Sequence, residues 1–544
     1  MRPDLYTCRG TYTSSDPVIL HLDDAPDNEV AEVKLFHLDQ HVKSEKWKIH
    51  SGKNQLNLGV FSERFQCFGV QVSLKNSTLF TAFEICNQKE KTIRYGFLSE
   101  FNTYNPDSVA WLAKFHINAV QFYDWSFRHD HLVSDREEYE DMMGKHIRRQ
   151  VIDSLISQCH SSGIKALGYG AIYAASKDYY YAHADEAMLN SSLLPFIFIE
   201  KFYLMDISRD GNYRKHIINE FQTAVRQMKF DGIHMDTYGF PKTAFVHRED
   251  GHKLIYLREE IPSLINETRK ALGPADKVCL IFNNVGNWPS QETAQCNQNA
   301  VYVEVWPPYE QYCHLQQIIR EIRSVSDKPI ILAAYLKPFR ETDPVQAMYS
   351  SLYLSAVCMS LGATCLLLGD HHGILTQGYY SDHSILNQVQ EALLQTYSDF
   401  MIRYEELFFD DSMTDVTYTH SYWDNYEYRC ISHPVSPCGE AGKIWMILRE
   451  NKHRKCIFLI NLSGNSDSYW NQGKSKPVLQ ENIVFRVQVD MIPAHICCAS
   501  PEQPNAVPVT FRQESDNHGL FVTFTINKLN ILKIIWLDYD ENNN

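Results

Sequence analysis

Between residues 96 and 405 of this 544-residue chain, apolar runs of strand length alternate with amphipathic stretches of helix length. Such alternation marks βαβ units, which lay consecutive strands parallel in one sheet and pack the helices against it. The candidate strands are 94–101, 118–124, 164–169, 232–236, 278–283, 301–306, 329–335 and 364–370. Eight parallel strands are the number that closes a (β/α)8 TIM barrel, whose chemistry sits at the carboxyl ends of the strands. Candidate helices at 106–116, 145–161, 211–229, 310–326, 344–361 and 384–402 lie between them, and Pro344 after Asp343 fits a first helical turn. The span 174–209 is long and aromatic-rich, with Tyr179, Tyr180, Tyr181, Phe196 and Phe198, and is expected to be an elaborated loop over the barrel mouth.

Outside these limits the helical period disappears. Residues 1–95 hold short candidate strands at 18–22, 31–38, 55–60, 67–74 and 79–86, separated by Asp, Asn, Gly and Lys turns, which predicts an N-terminal, immunoglobulin-like β-sandwich. Residues 406–544 return to the same pattern at 416–420, 426–431, 443–450, 455–462, 482–489, 520–526 and 532–539, a C-terminal antiparallel β-sandwich. There is no internal repeat, which excludes a solenoid or propeller. A net charge of −15 argues against nucleic acid or an anionic membrane as partner but does not repel a neutral ligand. Aromatic residues make up 12% of the chain, and stacking platforms for sugar rings are one use for them beside core filling. The 14 cysteines show no C-x-x-C pair, so neither a zinc ribbon nor a disulfide framework is indicated. The first residues lack the basic, apolar and small-residue regions of a signal peptide, and the most apolar window, 351–369, divides into a helix end and a strand. A cytoplasmic protein with reduced thiols is expected, or a secreted one if a signal has been trimmed.

Strand parity selects two acids. In Gly232-Ile233-His234-Met235-Asp236, Ile233 and Met235 face the helices while His234 and Asp236 face the interior. In Val301-Tyr302-Val303-Glu304-Val305-Trp306, three valines face the helices and Tyr302, Glu304 and Trp306 face inward. Asp236 then ends the fourth strand and Glu304 the sixth, so both project into one mouth. Glycoside cleavage uses such a pair, with a separation of ~5.5 Å for retention and ~6.5–9.5 Å for inversion. A single strand-end acid is as readily a helix cap or an ion-pair partner, so it is the matched pair that carries the reading. Around it fall candidate substrate-binding residues: Tyr123, Asp124, Trp125, Arg128 and His129 after the second strand, Tyr169 after the third, Asn283 after the fifth, Tyr335 after the seventh, and Asp370 with His371 after the eighth. Each could equally be structural. His129-x-His131 and His371-His372 lack a third ligand at helical spacing, so no metal is expected. No serine elbow, P-loop or dinucleotide fingerprint occurs, so no cofactor is expected either, and Gly168-Tyr169-Gly170 lacks the third glycine.

At Phe230-Asp231-Gly232-Ile233-His234-Met235-Asp236, at Tyr302-Val303-Glu304-Val305-Trp306, and at Tyr123-Asp124-Trp125 with Arg128-His129, the chain resembles glycoside hydrolase family 66, the endo-dextranases and cycloisomaltooligosaccharide glucanotransferases. Gly170-Ala171-Ile172-Tyr173-Ala174-Ala175 is similar as well. The resemblance implies Asp236 as nucleophile and Glu304 as general acid/base in a retaining attack on the α-1,6 linkages of dextran or isomaltooligosaccharides. Gly369-Asp370-His371-His372 stands where the family starts with Gly-Glu, and no segment is spare for the extra carbohydrate-binding module that cyclising members carry in the barrel. Hydrolysis is therefore expected ahead of its alternatives, an intramolecular glucanotransferase or a non-catalytic carbohydrate-binding protein on the same barrel.

Overall fold

A computed structural model describes residues 3–25, 28–87, 92–377 and 383–539. Met1 and Arg2, and residues 88–91 near the end of the expected N-terminal sandwich, lie outside the described residues. Eight strands form one parallel sheet in sequence order: β1 Tyr95–Leu98, β2 Ala119–Phe122, β3 Lys165–Ala171, β4 Gly232–Asp236, β5 Cys279–Val285, β6 Ala300–Glu304, β7 Ile330–Ala333 and β8 Thr364–Cys365. This is the expected (β/α)8 barrel, and its last seam is held by side chains. Thr364 Oγ1 donates to the Ile93 carbonyl at 2.7 Å on one side, and the Ser99 N–H donates to Asp370 Oδ2 at 2.7 Å on the other. The expected single strand 364–370 is accordingly broken. After Cys365 the chain leaves the ladder, and Leu368–Gly369 pairs instead with Gly373–Leu375 in a small antiparallel sheet.

Side-chain parity separates two cores. Ile233, Met235, Val301, Val303 and Val305 pack outward against the helices, while Tyr95, Leu167, Ile281, Tyr302 and Ile331 fill the barrel interior. Gly232 shows how tightly β4 is laid: a β-carbon there would sit 1.7 Å from the Cys279 carbonyl oxygen of β5. Asp231, one residue before, accepts from the Ala166 N–H at 2.8 Å and pairs with His160 at 2.9 Å, which fixes the amino end of the strand that carries Asp236 at its other end.

The helices follow the apolar spacing, with Asn212–Met228, Tyr312–Arg323 and Pro344–Ser360 inside the expected spans. Helix Leu257–Leu272, absent from the sequence expectation, shows the i, i+4, i+7, i+8 pattern in Leu257, Ile261, Leu264 and Ile265, masked by Pro262 within it. The span 174–209 is a structured cover rather than a bare loop. It holds helix Lys177–Ala182 and a three-stranded sheet of Ala174–Ala175, Phe202–Leu204 and Ile197–Phe198, and Leu189 ties it to a hairpin, Thr243–Arg248 and Gly251–Tyr256, by two backbone bonds with Phe245. Among the described residues, no helix is long and apolar enough to cross a membrane.

The flanks are two-sheet β units. At the N-terminal end a three-stranded sheet packs on a four-stranded one through Leu20, Leu22, Val33, Leu35, Val70 and Val72. Its strand Gln40–Ile49 is missing from the sequence expectation because it lies at a sheet edge and buries only Trp47 and Ile49. At the C-terminal end strands Ile444–Glu450 and Arg454–Asn461 turn Met446, Leu448, Ile457 and Leu459 toward the second sheet and Trp445, Ile447, Phe458 and Ile460 toward the barrel. The expected strand 416–420 is a helical turn, Thr417–His420. The Thr417 hydroxyl takes the place of a backbone acceptor there, receiving the Leu448 N–H at 2.9 Å.

Candidate functional site

The carboxyl ends of β1 to β7 open into a cavity of about 230 Å³. Asp236 and Glu304, the last residues of β4 and β6, face each other across β5, and Asn283 of β5 joins them. Its Nδ2 donates to Asp236 Oδ1 at 2.7 Å and reaches Glu304 Oε2 at 3.2 Å. Two oxygens held by one nitrogen at those lengths lie no more than about 6 Å apart. Tyr169 from β3 donates to Asp236 Oδ2 at 2.8 Å, and Tyr335, just past β7, donates to Glu304 Oε1 at 3.2 Å. Each acid is thus oriented by a phenol on its outer side and by Asn283 on its inner side.

Burial, then the neighbouring Glu304 charge, pushes Asp236 up to about 7, against the pull of its bonds from Asn283, Tyr169 and the Thr237 backbone. Burial also raises Glu304, with bonds from Asn283, Trp306 and Tyr335 opposing it. Two carboxyls this close favour a state in which one carries the charge and the other the proton. Beneath them, His234 is buried and hydrogen-bonds Tyr95 at 3.1 Å; burial drives it down to about 3, so it stays neutral and adds no charge to the pair.

The wall on the β2 side is built from the covering segments. Phe198 stacks on Tyr238 with ring centres 4.3 Å apart, and Phe202 on His129 at 4.7 Å. His129 Nδ1 meets the Tyr238 hydroxyl at 3.2 Å. Asp124 sits at φ 49°, where a non-glycine residue is uncommon, and its buried Oδ1 lies 3.5 Å from His129 Nε2. Trp306 stands 39% exposed beside Tyr335 at the opposite rim, a free aromatic face.

Of the residues singled out in the sequence, Tyr123, Asp124, His129, Tyr169, His234, Asp236, Asn283, Glu304, Trp306 and Tyr335 line this one cavity. Four others lie outside its lining. Trp125 is fully buried, and its indole N–H donates to the Tyr169 carbonyl at 3.0 Å, so it braces β3 from behind. Arg128 donates to the carbonyls of Phe127 and Glu140. Asp370 closes the barrel seam, and His371 faces Asn105. The lining also includes Phe97, Gln121, Met143, Phe198, Phe202, Thr237 and Tyr238, which strand-end parity does not select. Only the aromatic richness of 174–209 pointed to Phe198 and Phe202.

The whole arrangement has counterparts among known proteins. In sequence, the chain is 21% identical to a cycloisomaltooligosaccharide glucanotransferase of Niallia circulans, over 93% of this chain and 68% of the relative, and 20% identical to a second such enzyme of that organism, over 92% and 68%. In structure, the crystallised cycloisomaltooligosaccharide glucanotransferase of Paenibacillus sp., complexed with cycloisomaltoheptaose, shares the fold at a TM-score of 0.86 over 98% of this chain and 99% of that one, with 19% identity. A more distant barrel, the Geobacillus thermoleovorans α-amylase complexed with acarbose, matches at a TM-score of 0.52 and 9% identity, over 83% of this chain and 100% of that one. The family model for glycosyl hydrolase family 66 matches residues 7–536, so the two flanking β units and the barrel between them are matched as one. With Asp236, Asn283 and Glu304 all inside that span, this chain belongs to glycosyl hydrolase family 66.

Proposed function

We propose that this protein cleaves α-1,6-linked glucose oligomers through a covalent glucosyl-enzyme and passes the bound glucosyl chain to a sugar hydroxyl, the chemistry of a cycloisomaltooligosaccharide glucanotransferase. The observation that supports the two-step reading is the Asn283 bridge, which brings an oxygen of Asp236 within about 6 Å of an oxygen of Glu304, a closeness that favours a nucleophile and acid pair over two acids with a water between them. Glu304, protonated, gives its proton to the glycosidic oxygen while Asp236, ionised, attacks the anomeric carbon and displaces the leaving sugar. Glu304, now ionised, removes the proton of the incoming hydroxyl, which attacks the glucosyl ester and restores the α configuration. The aromatic rim of Phe198, Tyr238 and Trp306 offers stacking faces to an incoming sugar, and the names of both sequence relatives and of the Paenibacillus structure agree with transfer.

Hydrolysis by the same intermediate is the second reading. It is favoured by the connection between β3 and β4, about 60 residues including its helix, too short for the further module expected of cyclising members. Incubating the enzyme with isomaltooligosaccharides and with dextran, and weighing the products by mass spectrometry, separates the two. Cyclic or lengthened products are expected. Only shorter linear products would replace transfer by hydrolysis, and no turnover of either substrate would overturn both.

A further inference from the structure

A second cluster of reactive side chains lies far from the barrel mouth, where the N-terminal sandwich meets the C-terminal one. We propose that Asp39, His495 and Cys497 bind a zinc ion that clips these two units together. One donor atom from each of the three lies within 4.8 Å of the other two. The sequence expectation of no metal had no means of reaching this set, because only an i, i+2 pair is local and the third donor is more than four hundred residues away.

The fold places each donor for a separate reason. Strand His495–Ser500 pairs antiparallel with Leu532–Asp538, and residues 495 and 497, two apart on a strand, share a face. Asp39 comes from the turn joining Glu29–His37 to Gln40–Ile49. The residue before it, Leu38, has φ 50°, a conformation leucine rarely adopts, yet it is buried in the same apolar cluster as Cys497 and Trp536. Leu38 is thus anchored in the core, and Asp39 beside it reaches the C-terminal sheet, its Oδ2 3.6 Å from His495 Nε2. His495 adds an observation independent of this proximity. Its Nε2 is 3.6 Å from Asp39 Oδ2 and 3.2 Å from Asp538 Oδ2, but it is shielded from solvent and makes a hydrogen bond to neither. A shielded imidazole nitrogen among carboxylate oxygens that makes no hydrogen bond is free to serve as a metal ligand.

The donor set selects the ion. Calcium and magnesium take oxygen ligands, whereas one thiolate, one imidazole and one carboxylate match tetrahedral zinc. Zinc donors lie about 3–4 Å from one another, so movements of about 0.5 Å per side chain bring the three into place. Asp538 is already held by Arg454 at 3.0 Å, which leaves water for the fourth position. Binding releases the Cys497 thiol proton to solvent.

The test strips the full chain with EDTA and titrates it with Co²⁺, then Zn²⁺. A sulfur-to-cobalt charge-transfer band is expected to saturate at about one ion per chain, to be displaced by zinc, and to vanish in Cys497→Ser. Zinc is expected to raise the unfolding midpoint of the stripped protein by at least about 3 °C. Asp39→Asn, a change at a surface turn that does not disturb the sheet, is expected to lose that gain while keeping wild-type glucan turnover. Absence of the band in the wild type, its survival in Cys497→Ser, or an undiminished zinc gain in Asp39→Asn would each overturn the proposal.

Discussion

Asp236→Asn is expected to lower turnover of isomaltooligosaccharides by at least about 10⁴-fold, because the carboxamide keeps the shape of the side chain but removes the nucleophilic charge. The fold should not suffer, since the asparagine can still accept from Asn283 through its Oδ1. Glu304→Gln is expected to behave differently, losing about 10²–10⁴-fold on natural linkages, where the leaving oxygen needs a proton, and far less on a glucoside with an activated leaving group. The second variant also carries a pH signature. In the reacting state Asp236 is ionised and Glu304 protonated, so the basic limb of the wild-type rate reports loss of the Glu304 proton. Glutamine has no such proton to lose, so on a substrate that needs no acid the basic limb of the residual rate disappears. Measured kcat/KM profiles on the activated substrate check this. A basic limb that persists in Glu304→Gln, or more than about 1% activity in Asp236→Asn, would contradict the assignment of the two acids.

The second large effect lies at the opposite end of the barrel. Arg94, just before β1, is 1% exposed and hydrogen-bonds outward in several directions: to Glu84 and the Gly10 carbonyl in the N-terminal unit, to Thr92, to the His116 carbonyl beside β2, and to Glu405 of helix Glu405–Phe408. Burial, followed by the Glu84 charge, holds Glu405 up at about 8 even with Arg94 present, so near neutrality one carboxyl of the pair carries the charge that balances the guanidinium. Arg94→Met leaves that charge buried without a partner, a loss of about 3–5 kcal/mol. Glu405 already lies above its unfolded pKa, and loss of the arginine raises it further, so protonation relieves the fault. The deficit should be small near pH 5, grow as pH rises toward the folded value and level off above it. Denaturant or thermal unfolding of Arg94→Met at pH 5.5 and pH 8 checks it. A loss under about 1 kcal/mol, or one that does not change with pH, would show that the cluster does not work as a charge-balanced junction.

The legible parts of this protein are those set by local period. Alternation alone places Asp236 and Glu304 on inward faces of strands two apart, and the structure puts both at one mouth with the valines and Ile233 turned outward. Asn283 could be named as a strand-end polar residue, but its bridging bond depends on the stagger between β4, β5 and β6, which no single strand encodes. The aromatic wall depends on how 174–209 folds back over β4, a tertiary event. Asp370 shows the converse limit: an acid near the end of the eighth strand reads like Asp236, yet the last strand leaves the ladder early and turns this carboxylate to the seam. Edge strand Gln40–Ile49, with most of its side chains exposed, lacks the apolar alternation that betrays central strands.

In the proposed mechanism an intermediate covalently bound to Asp236 forms and is resolved by a second displacement. Proton NMR of the anomeric centre newly made at the cleaved bond reads this directly: the new linkage of a transfer product, or the new reducing end of a hydrolysis product caught in D₂O before mutarotation mixes the anomers. Two displacements give back an α centre, and that is the result expected here; a β centre would mean a single inverting displacement and would contradict the assignment of Asp236 as nucleophile.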